Sequence, residues 1–177
     1  MDNRKPIKII TATLGAVALL TLAAATGDSM FVMHTEIDID APPEAVWAAL
    51  TDAERFEEWN PFIHRMDGEL VVGNTLEITV GVPGKTVMSF KPTVLTAEVG
   101  RELRWRGKLL VRGIMDGEHV FELQPTATGT HFVHYENFTG VLVPLLKGML
   151  ERDTLPGFKA MNAALKERAE TIHLAAR

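Results

Sequence analysis

The stretch "HFVHYENFTG", residues 131–140, holds the densest group of side chains able to move protons or orient a ligand. Its alternation divides it into Phe132, His134, Glu136 and Phe138 on one face and His131, Val133, Tyr135 and Asn137 on the other. A histidine and a glutamate on one strand face are candidates for general acid and base. At ~7 Å along the strand they touch only if the side chains lean together, and His119 of "GEHVFEL" on the neighbouring strand is the better bridge. A carboxylate turned inward there needs a hydrogen bond, an ionic partner or a proton held by a raised pKa. His119, His134 and Glu136 also make up a two-histidine, one-carboxylate set of the kind that binds iron or zinc, but their spacing matches no helical metal motif. No metal or cofactor is expected. Alternation alone leaves open which face of 131–140 looks inward, because Phe132 and Phe138 compete with Val133 and Tyr135, and a one-residue slip exchanges the faces.

Other reactive patterns are missing. The chain has no cysteine, which excludes a thiol nucleophile, thiolate zinc and disulfides. It has no GxSxG elbow, HExxH pair or Rossmann glycine pattern, and Lys85 in "VPGKT" lacks the glycine spacing of a phosphate loop.

These groups must be positioned by a sheet. "FVMHTEIDIDA" reads as a half-buried strand with Phe31, Met33, Ile37 and Ile39 on one face. "PPEAVWAAL" predicts a helix with prolines in its first turn, and "TDAERFEEWNPF" a second short helix stopped by Pro61. Strands are predicted over 62–72, 75–82, 86–98, 102–111, 118–124 and 130–139, joined by Gly, Pro or Asn turns too short for crossover helices. Within them His119, Phe121 and Leu123 share an inward face, as do Leu103 and Trp105, with Arg104 and Arg106 toward water. From Pro144 onward the pattern is helical, with Leu155, Phe158, Met161 or Asn162, Leu165, Ala169 and Ile172 on one stripe and a break at Pro156 and Gly157. The predicted architecture is α+β: a curved antiparallel sheet of about seven strands wrapped around a long C-terminal helix, with two short helices after strand one.

The 177 residues suit one domain with an appendage, and 46% hydrophobic content supports a real core. A net charge of −5 without a broad basic surface argues against a nucleic-acid partner. Residues 1–29 combine a basic start at Arg4, Lys5 and Lys8 with an uncharged run over 9–27, the layout of an export signal. As a helix that run measures ~25–28 Å, close enough to a bilayer core to serve as an anchor. Ala23 and Ala25 suit cleavage, so cleaved signal peptide and retained membrane anchor both stay open, and either places the 30–177 domain at the cell envelope; a buried core helix, or a start at Met30 or Met33 that leaves a cytosolic form, are the alternatives.

"IDIDAPPEAVWAALTDAERFEEWNPF", "LRWRG", "GEHVFEL", "GTHFVHYENFTGVLVPLL" and "GFKAMNAALKERAE" occur in an order that resembles the START-like helix-grip (SRPBCC) superfamily. They look most like its polyketide cyclase/dehydrase and lipid-transport-like branch. The resemblance implies a cavity between sheet and helix, and it selects Phe132, His134, Glu136 and Phe138 as the inner row. Ligand contacts are then expected from Trp59, Trp105, His119, Phe121, Phe132, His134, Glu136, Phe138, Phe158, Met161, Asn162 and Leu165, with Asn162 the polar group on the helical stripe. Three functions remain: carriage of a hydrophobic small molecule or lipid, cyclase or dehydratase chemistry by His134 and Glu136, and an interaction module with a collapsed cavity.

Overall fold

The structure, a computed structural model, describes residues 30–81 and 87–177; the N-terminal run and Lys85 lie outside them. Strand β1 spans Met30–Ile39, and Pro42 leads into helix α1 at Pro43–Thr51, which buries Val46, Ala49 and Leu50. A single 3-10 turn at Ala53–Arg55 then feeds the four-residue helix α2, Phe56–Trp59. Asn60 closes that helix, its Oδ1 accepting from the N–H groups of Phe62 (3.0 Å) and Ile63 (2.8 Å).

The remaining strands are β2 Ile63–Asp67, β3 Glu77–Val80, β4 Met88–Phe90, β5 Thr93–Glu98, β6 Glu102–Lys108, β7 Asp116–Pro125 and β8 Thr130–Thr139. They form two sheets among the described residues, β1-β8-β7-β6-β5 and β2-β3-β4, all neighbours antiparallel. The predicted curved sheet is thus divided, and the strand predicted over 86–98 is two strands in different sheets. Pro92 separates them, since it has no N–H to donate to a ladder. The two sheets still meet at an edge, where Leu76 donates to the Pro92 carbonyl (2.8 Å) and Val94 to the Asn74 carbonyl (2.9 Å).

Helix α3, Val143–Met149, passes through a π-helical turn at Leu150–Thr154 into helix α4, Leu155–Ala175. The break predicted at Pro156 therefore lies one turn earlier. A proline ring clashes with the carbonyl four residues before it, here Arg152, and the wider π turn accommodates that residue. Helix α4 lays Phe158, Met161, Asn162, Leu165 and Ala169 into the concave face of the five-stranded sheet. Full burial of Phe158, Met161 and Leu165 contributes roughly 1.5–3 kcal/mol each relative to exposure. Among the described residues no helix is long and apolar enough to cross a membrane.

Candidate functional site

Antiparallel register stacks the inner residues of five strands into rows. His134 of β8 stands between Thr35 of β1 and Phe121 of β7, and Glu136 between Met33 and His119, with Trp105 of β6 next to His119. Phe132, His134 and Phe138 are buried on this face, whereas Tyr135 lies on the other and donates to Glu122 Oε1 (2.9 Å). Burial and that hydrogen bond push Tyr135 up to about 12, which removes it as an acid near neutral pH. Arg104 and Arg106 share the outer face and both bind Glu118. Burial raises the Glu118 pKa, but the two guanidiniums outweigh it and hold the carboxyl below 4.5.

The inner polar groups form one chain. Thr35 Oγ1 donates to the His134 carbonyl oxygen at 3.1 Å, because a carbonyl only accepts. Asn162 Nδ2 donates to the same Thr35 oxygen at 3.0 Å, which leaves Asn162 Oδ1 to accept from His134 Nδ1 at 2.7 Å. His134 is fully buried, and its pKa is lowered well below 6.5 by burial first and then by His119, so it is the neutral Nδ1–H tautomer. Its Nε2 therefore accepts, and His119 Nε2, 2.7 Å away, donates. His119 Nδ1 then carries a proton only in the imidazolium form, and it faces Glu136 Oε2 at 3.5 Å. A backbone carbonyl thus sets every tautomer up to the last pair, where His119 Nδ1 faces the Glu136 carboxylate.

Both nitrogens of His134 are engaged and its ring is sealed off, stacked on Phe158 at 4.0 Å and 14°. Only at Glu136 does the chain reach a side chain that is not fully buried. Glu136 is half-buried and lies over Gly117, where any Cβ would collide with its Oε1. The facing Nε2 atoms leave no room for a shared metal, since two imidazoles on one tetrahedral zinc stand about 3.3 Å apart.

The other expected contacts are placed as follows. Trp105 packs on His119 (ring centroids 5.2 Å) and on Phe121 (5.2 Å), and Phe121 stacks on Phe132 (5.9 Å). Phe138 stacks on Phe31 (6.1 Å) beyond Glu136. Met161 and Leu165 are fully buried core residues. Trp59 lies apart from the chain, edge-on to Phe56, with its Nε1 buried and unpartnered. The space between Trp105, His134 and Phe158 is filled by rings in contact. Clefts of about 620 Å³ beside the β5–β6 turn and about 260 Å³ at Arg106 and Arg112 are not lined by His119, His134, Glu136 or Phe158. Thr35 and Gly117 were missed in the sequence. Thr35 had a signal, a hydroxyl at an inward position of an otherwise apolar row.

A curved antiparallel sheet gripping a C-terminal helix, with a polar chain between them, defines a START-like helix-grip domain. The chain belongs to the polyketide cyclase/dehydrase and lipid transport family, whose model matches residues 30–170. No curated protein matches the sequence. Among solved structures, protein MLL2253 from Mesorhizobium loti is 23% identical with a TM-score of 0.59, over 80% of this chain and 98% of that one. The Zhui aromatase/cyclase from a Streptomyces species is 18% identical with a TM-score of 0.65, over 80% and 94%. The di-domain aromatase/cyclase BexL from the BE-7585A biosynthetic pathway is 14% identical with a TM-score of 0.67, over 93% of this chain and 59% of that one. At these identities the structures show the fold alone. Family membership supports a ligand-binding or cyclase role.

Proposed function

We propose that the protein binds a hydrophobic small molecule whose polar group is held by Glu136 and His119, with Trp105, Met33 and Phe138 as the apolar surround. The observation that carries this reading is the asymmetry of the polar chain. Its deep end is closed on Asn162 and Thr35, while its outer end is a half-buried carboxylate in an aromatic setting. A few polar groups converging at one end of an apolar surround are what orients a ligand in a binding site.

The test is a titration with quinones, polycyclic polyketides and lipids, read by tryptophan fluorescence, with a Trp105→Phe control, and by native mass spectrometry of protein purified from its native source. A bound adduct is expected. Gly117→Ala pushes the Glu136 carboxylate off its seat by colliding with a flexible side-chain end, not with backbone. It should weaken ligand binding at least about tenfold while changing stability by under about 1 kcal/mol. A protein that is always empty and ignores every compound sinks the proposal.

A second reading, cyclase or dehydratase chemistry, is favoured by the 3.5 Å approach of His119 Nδ1 to Glu136 Oε2, a base and a carboxyl side by side at the outer end of the chain. In it the working pair is His119 and Glu136, with His134 as the positioning residue that fixes His119. Turnover would then depend on pH and vanish in Glu136→Gln, with folding intact.

A further inference from the structure

We infer that the end of the domain carrying the β6–β7 loop is a bilayer-docking surface. Five large apolar side chains are exposed there: Met30, Leu110, Val111, Leu145 and Met149. They come from separate parts of the chain that the fold brings to one end. Met30 pairs with Thr139, and Thr139 with Asp116. Val141 and Leu142 donate to the carbonyls of Gly113 and Ile114, each at 3.0 Å, which seats the start of α3 against the loop. Lys147 of α3 lies 5.1 Å from the centre of the Phe31 ring, which places α3 beside the start of β1. Gly140 permits the contact with the loop, since its φ is +124° and a Cβ would stand 2.6 Å from the Ile114 oxygen.

Three observations identify a bilayer as the occupant. First, the loop tip reads Lys108, Leu109, Leu110, Val111, Arg112, apolar residues flanked by cations. That order suits a tip whose leucines enter acyl chains while its cations meet anionic headgroups. Of the carboxylates nearby, Asp116 is turned inward, its Oδ2 accepting from Gly113 N–H at 3.1 Å and its Oδ1 buried without a protein partner, and Glu151 lies 3.9 Å from Lys147. Second, Leu110 is 79% exposed and has a φ of +64°, so a strained backbone holds an apolar side chain out toward solvent. Third, the chain enters this same end at Met30, shortly after the uncharged run over 9–27. The opposite end exposes two apolar side chains from separate elements, Val99 beside the Glu98–Arg101 ion pair and Leu174 near the end of α4, without an apolar loop tip flanked by cations.

The absence of cysteine makes a single label possible. The full chain carrying Leu110→Cys or, as control, Val99→Cys is labelled with an environment-sensitive fluorophore. It is then reconstituted with vesicles of phosphatidylcholine and phosphatidylglycerol. The label at position 110 should be quenched by brominated acyl chains and shielded from aqueous iodide, and the label at 99 should show the reverse. Leu145→Cys gives the same readout if the first variant misfolds. Because the labels report the domain itself, an N-terminal anchor alone leaves positions 110 and 99 equally wet, which overturns the inference. Absence of vesicle association also overturns it, as does shielding at 110 that grows with protein concentration without vesicles and so marks a second copy of the chain.

Discussion

Replacing His134 with alanine is expected to lower the unfolding free energy by about 3–5 kcal/mol. The loss has two sources. Without the imidazole, Asn162 Oδ1 and the His119 Nε2–H are left without their partner, at about 1–3 kcal/mol for each unsatisfied buried group. The ring stacked on Phe158 also disappears and leaves a void between sheet and helix. Urea titration measures the total, and its pH dependence identifies the residue. Because the folded-state pKa of His134 is depressed, the unfolded chain takes up a proton first as pH falls through 6.5. The unfolded state then binds more protons than the folded one, so stability is fully present above 6.5 and declines below it by up to about 1.4 kcal/mol per pH unit. Glu118 and Glu170, both held below 4.5, act in the same direction but only in the more acidic window. His134→Gln should therefore flatten the stability profile between 6.5 and 4.5. An unchanged slope in that variant would assign the acid sensitivity to another group.

The fold was legible where polar and apolar residues alternate along a strand, and least so in 131–140, where Val133 is buried on the outer face. In "GEHVFEL" the inward His119, Phe121 and Leu123 are separated by Glu118, Val120 and Glu122, and neither register nor a partner strand is needed to sort them. The division of the sheet at Pro92 was harder to see, since 86–98 has strand character on both sides of a residue that only fails to donate one hydrogen bond. The candidate site was legible as a set of residues but not as a circuit. Asn162 was visible as the polar position on an apolar helical stripe, and His119 as a bridge. Their order depends on contacts such as Asn162 to Thr35, more than a hundred residues apart in the chain, and no local pattern encodes it. The same holds for the outer end of the chain. His134 and Glu136 share a strand face, yet the tautomers make His119 the partner of Glu136 and put His134 behind it.

Phe158→Ala is the second large effect, again about 3–5 kcal/mol, and it addresses whether the ligand enters the space now filled by rings. Phe158 is fully buried, packed edge-on against Phe62 at 5.3 Å and face-on against His134 at 4.0 Å. Its removal empties a volume walled by the ring faces of Phe62, His119 and His134, which small aromatics should fill better than water. Indole or a simple quinone should therefore restore stability to the variant, by about 2.7 kcal/mol at a hundred times its dissociation constant. Wild-type protein, with the ring in place, should show no such shift from indole. A compound of the proposed ligand class gives the decisive comparison. If its polar group is held by Glu136 at the outer end, Phe158→Ala destabilises the protein but leaves affinity near wild type, whereas Gly117→Ala does the opposite. If the ligand displaces Phe158 in wild type, the alanine variant binds it more tightly, since the energy of moving the ring off His134 no longer opposes binding. Thermal shift and calorimetry on the two variants separate these routes, and tighter binding by Phe158→Ala would move the ligand from the Glu136 mouth to the centre of the grip.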